Sequence, residues 1–351
     1  MENLRASQLI TEANLSLPRT KRPPLKRFTY KAVLAFLLFA LLLPLVSCEI
    51  PEIQTVSGPS SGTAGNIRWT IQGGVMTLEG NGAIPNFYNN DCPWQGRSTT
   101  IRAVVFSGEI TSIGAFAFYG CSSLKEVTLP ETLTSIGNNA FSGCKALVQI
   151  RIPDKVETIG EYAFAYCDSL KSIVLGASLK TIDHYAFFKS GSLRSLTIPP
   201  AVESIGLCVT AGTTSLEQIK IIDANPNYTD GGGNCIIDKR TATLIAGCKN
   251  TVIPSDGSVT EIATGTFHWC SGLTEIVIPD SVTTIREWAF DACKSLKSVT
   301  LGKGLSYLEA EAFSGCEKLR TIYNRSSLQL TKGSEENGGV ALYATSIKEI
   351  S

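Results

Sequence analysis

A repeat of 23 residues is the feature that most limits how this 351-residue chain can fold. Six cysteines mark the period in two runs: Cys121, Cys144 and Cys167, then Cys270, Cys293 and Cys316. Eight leucines keep the same step: Leu124, Leu147, Leu170, Leu193, Leu216, Leu273, Leu296 and Leu319. A short unit repeated at fixed spacing predicts a solenoid, in which each unit packs only on its neighbours.

The pattern inside one unit predicts a short strand followed by a tight return. In the unit that begins at Cys121, Val127 and Leu129 alternate with polar residues, as in a strand with one inward face. Pro130 then ends the strand, and Ala140-Phe141 suits a narrow return segment whose aromatic ring fills the coil. Stacked units bury a continuous core under a parallel sheet. We therefore predict a right-handed, β-rich leucine-rich-repeat solenoid with a parallel β-sheet on one face and short return segments.

The residues from Cys121 to Phe141 read Cys-x-x-Leu-x-x-Val-x-Leu-Pro-x-x-Leu-x-x-Ile-Gly-x-x-Ala-Phe. This unit closely resembles the BspA-like leucine-rich-repeat family, and the match extends from about Ile101 to Ile322. The resemblance implies a cell-surface protein of bacterial type. Relatives of that kind act in adhesion to host matrix and to other cells.

The period is disturbed near the middle of the chain. Val209-Thr210 stands in place of Ala-Phe, and Thr213 stands in place of cysteine. The repeat is then lost from Asp223 to Pro254. Within that stretch residues 235–237 and 244–246 read as two strands joined by a polar turn. We expect a hairpin to replace an ordinary coil there.

The N-terminal residues have the charge pattern of an export signal. No acidic residue occurs from Ala13 to Ser47, and basic residues precede the apolar run Ala32–Val46. The run contains Pro44 and is shorter than the roughly 20 residues of a membrane-spanning helix, which makes a permanent span the weaker interpretation. Leu45-Val46-Ser47-Cys48 resembles the lipobox of bacterial lipoproteins. We therefore predict lipid attachment at Cys48, the alternative being a chance thiol after a plain signal peptide.

These features divide the chain into seven segments. The predicted segments are a signal peptide (1–47), a tether (48–62), a β-rich N-terminal cap (63–100), repeat coils (101–222), a hairpin insertion (223–255), further coils (256–325) and a C-terminal cap (326–351). Phe87, Tyr88 and Trp94 are expected to cover the core of the first coil. The alternative role for these cap aromatics is stacking on a sugar.

The eleven cysteines would ordinarily favour disulfides in an exported chain. However, Ser190 and Thr213 occupy the same column as the periodic cysteines, as expected where only a small buried side chain is needed. We predict packed thiols, with disulfides or a metal as alternatives. Cys235 and Cys248 flank the hairpin and are the best candidates for a bridge.

No motif predicts catalysis or a cofactor. Asp223-x-Asn225-x-Asn227 resembles the opening of a calcium loop, but Tyr228 and Asn234 replace the required glycine and glutamate, which favours a plain loop. His184 and His268 are predicted to be surface histidines, without an obvious nucleophile or carboxylate dyad beside them. A glycan-processing enzyme would need a pair of carboxylates on one face, for which there is no candidate.

The outward positions of the predicted sheet and a mainly basic column at the start of its strands form the candidate binding face. Its residues are Arg102, Lys125, Glu126, Thr128, Arg151, Lys171, Arg194, Thr197, Lys220, Lys297, Thr300, Arg320 and Tyr323. Such a face suits a protein or an acidic glycan. The alternative is a solvated sheet face without a ligand.

The sequence thus predicts a non-catalytic lipoprotein of the cell surface or outer membrane that binds an extracellular protein or glycan. The alternative is an envelope lipoprotein that faces the periplasm and has a structural or partner-binding role. Thirty-one basic and thirty-one acidic residues leave no net charge. Nucleic-acid binding requires a dense positive surface, so we expect no nucleic-acid partner.

Overall fold

The computed structural model describes residues 58–88 and 91–350. Within these residues the chain is a parallel β-solenoid of about 11 turns with almost no helix. The predicted leucine-rich-repeat solenoid is confirmed. The predicted signal peptide and Cys48 lie outside the described residues. Nowhere in the described ranges is a helix both long and apolar enough to cross a membrane.

Four short strands precede the repeats: β1 (Ser61–Ala64), β2 (Ile67–Gln72), β3 (Val75–Gly80) and β4 (Gly82–Ala83). Strands β1, β2 and β3 form an antiparallel meander whose buried residues alternate along β2, as a half-buried strand requires. A 3₁₀ helix, Gln95–Thr100, leads into the repeats. Trp94 is buried just before it, and its indole Nε1–H donates to the Ala117 carbonyl at 2.7 Å. Trp94 and the buried Phe87 thus cover the first coil as predicted, whereas Tyr88 is 63% exposed and does not.

Most coils contribute two strands, so the structure has a second ladder that the sequence analysis did not predict. The first ladder consists of β5 (Ala103–Ser107), β7 (Glu126–Val127), β9 (Gln149–Arg151), β11 (Ser172–Val174), β13 (Ser195–Ile198), β15 (Gln218–Ile221), β20 (Glu275–Val277), β22 (Ser298–Leu301) and β24 (Thr321–Asn324). The second consists of β6 (Ile110–Ile113), β8 (Ser135–Ile136), β10 (Thr158–Ile159), β12 (Thr181–Ile182), β14 (Ser204–Ile205), β19 (Glu261–Ile262), β21 (Thr284–Ile285) and β23 (Tyr307–Leu308). Most strands of the second ladder have two residues, too few for an alternating pattern to reveal them.

The core is a stack of equivalent side chains from successive coils. The phenylalanines of the return segments form two such stacks: Phe118, Phe141, Phe164 and Phe187, then Phe267, Phe290 and Phe313. Neighbouring ring centroids within them are 4.6–6.2 Å apart. The predicted phenylalanine column is therefore formed, and it is interrupted only near Thr210.

The interruption contains β16 (Tyr228–Thr229), β17 (Cys235–Asp238) and β18 (Thr243–Gly247). Strands β17 and β18 are antiparallel, and β18 pairs in parallel with β19, so the hairpin adds its second strand to the second ladder. The Thr210 hydroxyl donates to the Gly247 carbonyl at 3.2 Å. A Cβ on Gly247 would lie 2.1 Å from the Phe267 ring, which is why glycine is needed where the second stack begins.

The C-terminal end of the sheet is closed by one more strand. Strand β25 (Ser346–Glu349) pairs in parallel with β24. A 3₁₀ helix, Asn337–Gly339, stands where the next return segment would be, and its Gly338 carbonyl accepts from the Phe313 N–H at 2.7 Å. Residues 325–350 therefore cover the core of the last coil, so that the C-terminal end of the solenoid is capped.

All ten cysteines within the described ranges are buried free thiols. In the periodic column the thiol points at the carbonyl of an earlier phenylalanine, as Cys144 does to Phe118 at 3.3 Å. Ser190 makes the same contact with Phe164 at 2.6 Å. The prediction of a column of small, packed side chains is confirmed. Cys235 and Cys248 are free thiols as well.

Candidate binding surfaces

The basic column predicted at the strand starts is formed by backbone stacking between coils. The Lys125 N–H donates to the Arg102 carbonyl at 2.9 Å, and the Arg194 N–H donates to the Lys171 carbonyl at 3.3 Å. Arg320 donates in the same way to Lys297 at 3.0 Å. These six side chains are exposed and stand in line along the solenoid. Uncharged or acidic residues occupy the same line at other coils, so the positive charge is not continuous.

The remaining predicted residues lie on the outward side of the first ladder. Glu126, Thr128, Arg151, Thr197 and Lys220 are exposed, whereas Thr300 and Tyr323 are half-buried. The Arg151 guanidinium contacts Glu131 Oε1 at 3.0 Å and Asp154 Oδ2 at 3.4 Å. Its charge is therefore already compensated within the chain, which reduces its value for an acidic ligand.

The hydrogen-bonded strands of the predicted face form four groups: β5 with β7, β9 with β11, β13 with β15, and β20 with β22, β24 and β25. The last interruption separates β15 from β20. The chain leaving the hairpin lies between them: Lys249 Nζ contacts Glu217 Oε1 at 2.8 Å, and Asn250 Nδ2 donates to the Glu217 carbonyl at 3.3 Å. The insertion thus divides the face, because its exit segment occupies the space of a coil.

The C-terminal part of the face forms the larger depression, which we call the C-terminal groove. Its volume is ≈ 670 Å³. The floor consists of outward residues of β20, β22 and β24, and one wall is the segment 249–255. Val277 on the floor is 59% exposed and Val252 on the wall is 71% exposed. The groove therefore presents two apolar side chains to solvent among polar ones.

Sequence reasoning identified part of this groove. The floor residues Thr300 and Tyr323 were among the predicted binding residues, but Val252 was missed because the irregular segment has no repeat position. A smaller depression of ≈ 390 Å³ lies over β7, β9 and β11 and includes Glu126, Thr128 and Arg151. Val174 on its floor is 58% exposed.

The two histidines differ in environment, and the prediction of a surface histidine is wrong for His268. The His184 side chain is half exposed, and its Nδ1 accepts from the Leu207 N–H at 2.9 Å. The His268 side chain is only 16% exposed, and its Nε2 lies 3.4 Å from Asp291 Oδ2. Burial lowers the pKa of His268. Asp291 follows His268 by one period, so the repeat itself was the signal that could have found this pair.

The structure shows a plain loop where the calcium pattern begins. The buried Asn225 amide nitrogen donates to the carbonyls of Pro199 at 3.0 Å and Val202 at 3.2 Å. Its side-chain oxygen accepts from the N–H groups of Asn227 and Tyr228. All of its hydrogen-bonding capacity is thus used within the chain. Among the residues that the structure describes, no cluster of three or more His, Cys, Asp or Glu side chains could hold a metal.

Comparison with known proteins agrees with the repeat and with its interruption. The sequence model of the BspA type leucine rich repeat region matches residues 97–223 and 244–350, in six copies. The chain belongs to this family. Residues 224–243, which separate the matches, include the first strand of the hairpin. Leucine-rich-repeat families of this kind are generally non-catalytic and act as protein-binding scaffolds.

Solved structures of bacterial leucine-rich-repeat proteins share the fold. A leucine-rich repeat protein from Eubacterium ventriosum has a TM-score of 0.63 and 25% sequence identity, over 74% of this chain and 71% of that one. A leucine rich cell surface protein from Faecalibacterium prausnitzii has a TM-score of 0.51 and 24% identity, over 83% of this chain and 95% of that one. No curated protein sequence matches this chain significantly.

Proposed function

We propose that this BspA-type protein is a lipid-anchored adhesin of the cell surface that binds an extended segment of an extracellular protein in the C-terminal groove. The observation that carries the proposal is the pair of exposed valines, Val252 and Val277, which face solvent in a depression with polar margins. Apolar side chains in such a position lose contact with water when a partner covers them. The regular outward face elsewhere is mostly polar.

The charges around the groove indicate what the partner segment presents. Glu275 forms no ion pair with any residue that the structure describes, and it lies on the floor beside Val277. Asp280, by contrast, is paired with Arg325 at 3.0 Å. An extended segment with an apolar residue and a basic residue two positions away from it would place their side chains over Val277 and Glu275, because alternate residues of a strand share a face. We propose such a segment as the ligand.

The location at the cell surface rests on the N-terminal sequence. An apolar run after basic residues is typical of export, and a lipobox ending in Cys48 supports attachment of lipid at that thiol. The relative from Faecalibacterium prausnitzii is a cell surface protein. If the chain faces the periplasm instead, protease added to intact cells will leave it uncleaved. If Cys48→Ser still incorporates a fatty-acid probe, the anchor is wrong.

A matched pair of substitutions tests the groove. Val277 and Val174 occupy corresponding outward positions on their strands and are 59% and 58% exposed, so arginine at either position disturbs folding little. Cells that display the full chain are allowed to adhere to immobilised extracellular-matrix proteins. We expect Val277→Arg to lower adhesion at least about tenfold, because a central apolar contact is replaced by a charge. Val174→Arg serves as the control and should adhere normally. Equal adhesion of the two variants would contradict the groove as the binding site.

A further inference from the structure

One column of the return segments holds the backbone in the left-handed region at successive coils. Eight described coils have positive φ just before the cysteine column, at Gly120, Gly143, Tyr166, Lys189, Gly212, Trp269, Ala292 and Gly315. Glycine adopts this conformation freely, whereas a side chain with Cβ makes it unfavourable. Four coils nevertheless have another residue, and three of these residues are large. The large ones are Tyr166, Lys189 and Trp269.

The three large exceptions meet in space around one ammonium group. Lys189 Nζ lies 3.3 Å from the centroid of the Trp269 ring, 5.3 Å from that of Phe188 and 5.7 Å from that of Tyr166. The Phe188 ring also contacts Tyr166 edge-on at 5.4 Å and Trp269 at 5.8 Å. We call Tyr166, Phe188 and Trp269 the aromatic cage.

The solenoid register builds this cage across the interruption. The Lys189 N–H donates to the Ala211 carbonyl at 2.8 Å, and the Gly212 N–H donates to the His268 carbonyl at 3.0 Å, so the coil of Gly212 lies between Lys189 and Trp269. A Cβ on Gly212 would come 2.8 Å from Lys189 Cγ. Because Gly212 has no side chain, the space through which the Lys189 side chain reaches Trp269 stays open.

A cage of aromatic faces around a cation is the arrangement that recognises quaternary ammonium groups. The Lys189 ammonium shows that a cation fits among these rings, and burial against them lowers its pKa. A primary ammonium is strongly hydrated, whereas a trimethylammonium group exposes methyl groups and enters an aromatic site more readily. We propose that the aromatic cage is a binding site for a trimethylammonium ligand of the choline type, and that Lys189 is an internal occupant which the ligand displaces.

The surroundings of the cage permit such an exchange. Tyr166 is 40% exposed, so one wall of the cage borders solvent. The Asp291 carboxyl lies in the coil next to Trp269, whose N–H donates to the Asp291 carbonyl at 2.8 Å. His268 contacts that carboxyl, and burial lowers the pKa of His268, which disfavours a second positive charge beside the cage.

The repeat supplies variants that keep the fold. Lys189→Gly introduces the residue found at this position in four other coils and removes the internal occupant. We expect the full chain with this change to bind tetramethylammonium about tenfold more tightly than the wild type in calorimetric titration, which is the scale of one lost cation–π contact. Trp269→Gly removes a wall and should abolish binding. Ala292→Gly is the control, because it relieves the same backbone conformation outside the cage.

Two further comparisons test whether the charge of the ligand is what the cage recognises. The neutral choline isostere 3,3-dimethylbutanol should bind at least about tenfold more weakly than choline, because it lacks the charge that the rings attract. Phosphatidylcholine vesicles, compared with free choline, distinguish a lipid headgroup from a soluble ligand, and Lys189→Gly should strengthen binding to whichever source is used. If Lys189→Gly only lowers the melting temperature and binds no better than wild type, the cage is merely a structural clasp and the proposal is wrong. Equal binding of the neutral isostere would overturn it too.

Discussion

The phenylalanine column makes a quantitative prediction about stability. Phe164 is fully buried, and its ring lies between those of Phe141 at 5.3 Å and Phe187 at 6.2 Å. The backbone on both sides is fixed, since Phe164 N–H donates to the Ala186 carbonyl and Phe141 N–H to the Ala163 carbonyl, each at 2.8 Å. The coils therefore cannot move together to fill the space of a missing ring. We expect Phe164→Ala to lower the free energy of unfolding by about 3–5 kcal/mol.

Thr210 provides the matched control, because it occupies the same position in the interrupted coil. Its side chain is small, and its hydroxyl makes one hydrogen bond, to the Gly247 carbonyl. Thr210→Ala should therefore cost only about 1 kcal/mol, the net value of one neutral hydrogen bond. Urea unfolding of both variants, followed by tryptophan fluorescence, measures the difference. Equal effects, or a larger effect for Thr210→Ala, would mean that the phenylalanines do not fill equivalent places in the coils.

Two other predictions concern titratable groups in the core. Burial raises the pKa of Cys167 to about 12, so we expect iodoacetamide at pH 8 to leave this thiol unmodified in the folded protein. After unfolding in urea the same reagent should alkylate it, as mass spectrometry would show. Rapid labelling of the folded chain would contradict the packed column of cysteines. Burial also lowers the pKa of His268 below its ordinary value of 6.5, so the unfolded chain binds more protons just below that pH. The free energy of unfolding should fall as the pH drops from 7 to about 5.5, and the fall should be smaller in His268→Gln. An equal fall in the two proteins would mean that His268 is solvated in the folded state. At still lower pH, Asp291 acts in the opposite direction because burial raises its pKa.

The regular part of the fold could be predicted from the sequence because the same apolar pattern recurs at a fixed step. Val127 and Leu129 are inward on the first ladder, and Phe141 is inward in the return segment, as their unit predicted. The second ladder was missed because a pair such as Thr158–Ile159 is too short to show alternation. Its pairing depends on the stacking of neighbouring coils, which no single segment reveals.

The candidate sites could be predicted only where they follow the period. The line of basic residues from Arg102 to Arg194 lies as expected, since the spacing between its members is always a whole number of repeats. Val252 in the C-terminal groove has no repeat position, and the irregular loop places it by contacts that depend on the hairpin. The contact between Lys189 and Trp269 joins two coils that are separated by a third, the coil of Gly212. It depends on Gly212 having no side chain, and the spacing of the two residues gives no sign of it.

The departure from the period explains why both candidate sites lie where they do. Leu216 and Leu273 are 57 residues apart, one period of 23 plus an insertion of 34. On the sheet side, the exit of this insertion provides the wall of the C-terminal groove. On the return side, the coil of Gly212 stacks directly on that of His268, which brings Trp269 within reach of Lys189. A perfectly regular solenoid would repeat the same backbone shape at every coil, so its coils would differ only in their outward side chains. The insertion breaks that translational symmetry, and each side of the solenoid gains a surface that occurs once among the described coils.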